Sequence, residues 1–357
     1  AIQSAAGAWR GLSAGPDVRS NTGPSGTAGQ QPTKAKEQLA TLASVLQRAT
    51  AIDFSQPRHS SHAAITLSKL AAAAKREAAT TTPEQQQQLV QQVQRLADGL
   101  LAAAPPPASA SSADASSSGQ AAGSRVAQLD RDTLQALAFS LVHLSRLPGV
   151  DLKPLALSIA AAAPSTLASH KNPVLAWEAW SAVINGVTLA GLRWETHPEV
   201  HATVEAAVQQ LTAKGLAPNA RSVVWAVVLQ RLGLLGAPAA VAEPLLSLVA
   251  AKGAETKTTY DAWAKALEGM ASMGTLHSEL AASAIAGLSS AAQPPHKLLL
   301  LHVYRALRSL MHLGATSEQL APMVAAASKA AAEGRAVAPD APATSAQLLA
   351  TLQQLGI

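Results

Sequence analysis

The sequence predicts an all-α protein, and three observations point there. Of its 357 residues, 48% are hydrophobic but only 3% aromatic, so the apolar content is carried by Ala, Leu and Val. Those residues are small or helix-favouring, whereas a sandwich or barrel of this length needs more β-branched and aromatic filler. Apolar residues also recur at helical spacing along most of the chain. Finally, a glycine follows an apolar helix end at Gly149, Gly191, Gly233, Gly274, Gly314 and Gly356, at intervals of 42, 42, 41, 40 and 42 residues. The expectation is an α-solenoid of about five to six helix-pair repeats with a period of about 41, preceded by a small helical segment and an extended basic N-terminal tail.

Taken in order, residues 1–33 form the expected tail, rich in Gly, Pro, Ser and Thr from residue 11 onward and poor in core-forming residues. Its opening, "AIQSAAGAWRGLSAGPDVRS", bears Ser, Ala and Arg with a single acid. That composition resembles the trailing part of an organellar transit peptide or the mature tail after its cleavage. Residues 34–104 are expected to hold three helices. "KAKEQLATLASVLQRAT" sets Leu39, Leu42, Val45, Leu46 and Ala49 on one stripe, and "SSHAAITLSKLAAAAKREAA" does the same with Ile65, Leu67 and Leu70. In "TTPEQQQQLVQQVQRLADGLLAAA", Thr82 is the expected N-cap and Pro83 the first-turn residue. Residues 105–124, "PPPASASSADASSSGQAAGS", read as a linker.

From 125 to 357 the repeat takes over. Before each glycine lies a helix-length apolar run, such as "ARSVVWAVVLQRLG", "YDAWAKALEGMASMG" or "SAQLLATLQQLG". After each of the first five comes a second amphipathic run, such as "APAAVAEPLLSLVAAKG". Each unit is thus two antiparallel helices, the glycine ending the first in the left-handed conformation that other residues avoid. One pair cannot bury its apolar stripes alone, so neighbours must cover them. The last run, ending at Gly356, is expected to serve as a lone capping helix.

Charge is unevenly spread. Residues 1–80 hold nine Lys/Arg against four acids, which equals the whole net charge of +5, while from Arg125 onward 17 basic residues meet 15 acidic ones. A basic arm on a near-neutral body points to a polyanion contact made by the arm, through Arg10, Arg19, Lys34, Lys36 and Arg58. Trp9, beside Arg10, is an expected partner anchor. In the body, Lys257 and Lys297 stand seventeen residues before Gly274 and Gly314, and Lys265 and Arg305 stand nine before them. With Arg308 on the Arg305 face, these charges are expected to form a short ridge suited to phosphate. Ordinary solvated helix positions would show the same residues.

Cysteine is absent, which removes disulfides and thiolate chemistry together. No run is long and apolar enough for a membrane span, since the best, 223–242, carries Gln230 and Arg231 at its middle. No P-loop, dinucleotide fingerprint, nucleophile elbow or close carboxylate pair is present, so neither catalysis, a cofactor nor a small-molecule substrate is expected. His197 and His201 lie one helical turn apart, but Pro198 stands where a zinc-protease helix carries Glu, and no third ligand is evident. Exposed or capping roles are expected for them, with no metal. His59 and His62 flank "SS" in an expected basic loop suited to phosphate or solvent. Most of Trp177, Trp180, Trp194, Trp225 and Trp263 are expected in the core.

The phrases "SVVWAVVLQRLG" and "SAQLLATLQQLG", and more loosely "RALRSLMHLG" and "AKALEGMASMG", are similar to the leucine-rich helix ending of octotricopeptide repeats. The resemblance covers roughly 125–357. It implies an organellar RNA-binding helical-repeat protein, some relatives being extra proteins of green-algal mitochondrial ribosomes. The expected role is therefore a non-catalytic RNA-associated scaffold in the mitochondrial matrix or, alternatively, the chloroplast stroma. Its expected partners are rRNA or other organellar RNA and neighbouring ribosomal proteins. A free RNA-maturation or translation factor of the same class, and a protein-only scaffold of a mitochondrial complex, are the alternatives.

Overall fold

Small apolar residues at helical spacing leave little room for anything but helix-on-helix packing, and the computed structural model bears this out. It describes residues 41–56, 59–102, 124–256, 258–291, 298–333 and 336–337. Thirteen α-helices lie within them, all belonging to one compact unit, Ala40–Ile357. They are α1 (Leu42–Thr50), α2 (His59–Glu77), α3 (Pro83–Leu101), α4 (Arg131–Leu144), α5 (Lys153–Leu167), α6 (Pro173–Leu189) and α7 (Pro198–Lys214). There follow α8 (Ser222–Leu235), α9 (Ala239–Lys252), α10 (Tyr260–Ser272), α11 (Ser278–Ala291), α12 (Leu300–His312) and α13 (Ser317–Ala332). A two-residue parallel pairing joins Leu298–Leu299 to Ala336–Val337.

Local chemistry sets the helix starts. Thr82 accepts from the Gln85 amide at 3.3 Å while the Gln85 side chain accepts from the Thr82 amide at 3.0 Å, a reciprocal cap ahead of Pro83. Asp130 caps α4, Asn172 caps α6 and Thr259 caps α10, each through a side-chain oxygen that accepts from first-turn amides. A helix begins at Leu42 behind the cap Thr41; Leu39 and the rest of 34–40 lie outside the described residues.

Packing follows chain order. Helix α2 contacts α4, and the series continues α4–α6, α6–α8, α8–α10 and α10–α12; the intervening helices do the same from α3–α5 through α11–α13. Helix α1 packs on α2 and α3. The N-terminal helices thus join the same packing as the rest, and the boundary expected at 105–124 is bridged in space. Arg125 secures the junction: its guanidinium donates to the Gly99 carbonyl at 2.8 Å and the Phe54 carbonyl at 3.0 Å, over the Phe54 ring. The Asp151 amide adds a bond to Gln94 Oε1 at 3.1 Å.

Four of the expected glycines, Gly149, Gly191, Gly274 and Gly314, have φ between 64° and 85°. Gly233 does not. It lies inside α8, and the left-handed residue is Gly236, φ 80°, which caps that helix. Gly233 serves close packing instead: a Cβ there would stand 2.4 Å from the Gly269 carbonyl oxygen on α10, and one on Gly269 would stand 2.4 Å from that of Leu229. At α4–α6, Gly186 approaches the Ala138 carbonyl just as closely. Gly356 lies outside the described residues.

Prolines inside the second-layer helices leave carbonyls to satisfy. Pro164 has no N–H for the Ala160 carbonyl one turn earlier; the donor within reach is Thr203 Oγ1 from α7, at 2.8 Å, which shares its one proton between that carbonyl and the Glu199 carbonyl of its own helix at 2.7 Å. The Pro164 carbonyl accepts from Gln210 Nε2 at 3.1 Å, and Gln210 Oε1 accepts from the Trp180 indole at 3.2 Å. A chain of polar groups thus ties α5, α6 and α7 through an otherwise apolar contact.

Candidate functional site

The ridge expected from Lys265, Arg305 and Arg308 falls on α10 and α12, which pack side by side. There the structure departs from the expectation of free positive charge. Arg305 donates from Nε and Nη2 to the two Glu268 oxygens, each at 2.5 Å, and from Nη1 to Asp261 Oδ1 at 3.2 Å. Lys265 is paired with Asp261 one turn away on α10. Two of the three basic side chains are therefore matched by two carboxylates, and Arg308 alone of them is exposed. Segment 293–316 contains no acid, but its neighbour in space supplies two.

The network extends beyond these residues. Gln230 Nε2 of α8 donates to Glu268 Oε2 at 2.6 Å, and His302 of α12 lies 3.6 Å from Asp261. Arg231 Nε donates to Asn185 Oδ1 of α6 at 2.7 Å. Half-buried polar side chains therefore occur along α6, α8, α10 and α12. Burial works against the Asp261 carboxylate, yet the Lys265 hydrogen bond and the Lys265, His302 and Arg305 charges outweigh it and hold its pKa below the ordinary value. The Glu268 hydrogen bond, opposed by burial and aided by nearby carboxylate charge, raises that of Arg305. Burial lowers that of His302, and more than offsets Asp261. Sequence offered one direct signal for this arrangement, the Asp261–Lys265 spacing on one helix face; Gln230 and Glu268 carried none.

Arg10, Arg19, Lys34, Lys36, Arg58, Lys257 and Lys297, with the anchor Trp9, lie outside the described residues. Of the histidines, His59 opens α2 and its Nδ1 meets the backbone of Asp53, while its ring lies 5.7 Å from that of His62. His197 precedes α7; its Nδ1 accepts from the Arg193 amide at 3.2 Å. His201 stacks on Trp194 with ring centroids 4.1 Å apart and bonds the Trp194 carbonyl through Nε2. Both histidines are thus engaged in the α6–α7 turn. No group of three or more potential metal ligands occurs among the described residues.

Trp177, Trp180, Trp225 and Trp263 are buried, and Trp194 is half-buried. Trp225 and Trp263 meet edge to face at 5.4 Å, and Gly287 leaves the space that the Trp263 indole fills. An open groove of about 530 Å³ lies between α7 and α9, lined by Val208, Gln209, Thr212, Val241 and Pro244 among others. It holds no constellation of acid, base and nucleophile. No described helix is long and apolar enough to cross a membrane.

Compared with known proteins, the chain matches no protein-family model, and no curated protein matches its sequence.

Proposed function

We propose that this chain is an α-solenoid scaffold of about five to six helix pairs that associates with RNA as an accessory protein of a mitochondrial ribosome. The observation that carries the reading is the order of helix packing, in which each helix of one layer rests on the next helix of the same layer along the chain. Such packing offers broad surfaces to partners. The likeness of its helix endings to octotricopeptide repeats supplies the RNA connection.

Charge divides the labour. The nine basic residues against four acids in 1–80 suit a polyanion, so this segment contacts rRNA. The body, with Lys265 and Arg305 matched by Asp261 and Glu268, packs on neighbouring ribosomal proteins. The same pairing favours a second reading, a protein-only scaffold in a mitochondrial complex, in which RNA has no part.

Sedimentation of the tagged protein from mitochondrial lysate, with and without nuclease, separates the two. The first reading expects migration with ribosomal particles and release after nuclease treatment. Migration in a complex that nuclease leaves intact overturns it in favour of the second.

A further inference from the structure

The turn between α5 and α6 buries one side chain and exposes most of its neighbours. Ser169, Lys171 and Asn172 are exposed, as is Ala168, whereas His170 is only 2% exposed. Neither of its ring nitrogens has a hydrogen-bond partner, although a neutral imidazole carries one N–H donor and one acceptor. A polar ring buried in this way costs stability. The turn is also lightly held, its one backbone bond at this residue running from the His170 amide to the Leu167 carbonyl at 3.2 Å.

The elements on either side are better secured. Asn172 Oδ1 caps α6 through the Val174 amide at 2.9 Å, and α5 is tied to α7 through Pro164 and Gln210. The charged groups acting on the His170 ring are Arg131 and Asp132 at the start of α4 and Lys214 at the end of α7. Arg131 is paired with Asp132 at 3.0 Å, and Lys171 follows His170 on the turn itself. A proton on the buried ring would be a cation without a partner in a setting of net positive charge.

We propose that the α5–α6 turn is a proton-sensitive latch. The neutral His170 ring holds it shut; protonation releases it from the Arg131 and Lys214 charges and exposes it next to Lys171, adding a cation to this basic surface for a polyanion. Burial, then the Arg131 charge, brings the ring's pKa down to about 4 when the turn is closed. An exposed ring returns to about 6.5. The open form therefore binds the extra proton, and its population rises by up to about tenfold for each pH unit between those two values. A bound polyanion stabilises the same protonated form. This latch stands apart from the RNA reading and survives that reading's failure.

Hydrogen exchange of the amides of residues 168–171, corrected for intrinsic rates and followed by NMR from pH 7 to 5, tests it in the full chain. The expected result for the wild type is a rise in opening of about threefold from pH 7 to 6 and about sevenfold from pH 6 to 5, with a flat profile for His170→Phe. Inorganic tripolyphosphate should raise the pH at which the wild-type turn opens and leave the variant unmoved. A pH-independent wild-type profile overturns the latch. A normal profile unaffected by tripolyphosphate overturns its polyanion function. Should the variant fold poorly, titration of the His170 ring proton in the wild type decides instead: a midpoint near that of free histidine, with the turn still closed, overturns the latch.

Discussion

Alanine at Gly236 and alanine at Gly233 remove different things. At Gly236 the backbone has φ 80°, a conformation that costs a residue with a Cβ about 1–2 kcal/mol, although nothing lies within 4 Å of the added carbon. At Gly233 the backbone is helical and alanine is the better helix former, but its methyl meets the Gly269 carbonyl of α10 at 2.4 Å. Gly233→Ala should therefore lower stability by about 1–3 kcal/mol through a forced separation of α8 and α10. Gly269→Ala should fail to add a comparable loss once the helices have parted, and denaturant melts of the two single variants and the double variant check this. The glycine period made both residues conspicuous without separating their roles. "QRLGLLG" holds two glycines three residues apart, and only the neighbouring helix decides which of them ends α8.

Between elements, the strongest polar couplings are substitutes for something missing. Pro164 withholds an N–H from Ala160, and the Thr203 O–H, shared with the Glu199 carbonyl, stands in its place. Thr203→Val should cost about 1–3 kcal/mol by leaving that carbonyl bare, and much less in a Pro164→Ala background, where the helix supplies its own donor. A double-mutant cycle by chemical denaturation measures the difference. The α10–α12 pairing is the charged counterpart. Glu268→Gln keeps the shape but leaves Arg305 with Asp261 alone; with both side chains about a quarter exposed, the loss should be about 1–2 kcal/mol. A thermal melt should register it as a Tm lowered by about 2–4 °C. Little of this was legible in advance, because Glu268 and Arg305 are 37 residues apart and a count of charges within one segment cannot see across the gap. Helix positions were legible because capping and apolar spacing are local: Thr82, Pro83 and Gln85 signal the start of α3 without help from any other element.

For the whole molecule, acid should be the effective denaturant. Burial lowers the pKa of His143, aided by Lys75 and Arg146, and lowers those of His170 and His302 as well. A histidine whose folded value is depressed binds its proton more readily in the unfolded chain, so stability falls as pH drops below about 6.5. For His170 the loss continues to about pH 4 and reaches at most about 3 kcal/mol, less where the turn opens locally. Asp261, also depressed, gives stability above the ordinary carboxylate range and loses it as pH falls through its folded value. Scanning calorimetry from about pH 7.5 to 4.5 should show Tm nearly level above about pH 6.5 and falling below it, with a shallower slope there in His170→Phe. The all-helical class was visible at this scale from composition alone. The continuity of α2 and α3 with the later helices was not, since the low-complexity stretch between them looks like a separation and only the packing of α2 on α4 and α3 on α5 bridges it.

The substantial contacts among the described helices join partners no more than two apart along the chain. Among the described helices, nothing large has to wait for a distant strand or a closing end. Such a polypeptide can acquire structure progressively as it emerges from a narrow channel, each new pair finding its bed already laid by the one before. Which helix touches which thus sets no single starting point among the described helices: order can begin at any adjacent group and spread to either side.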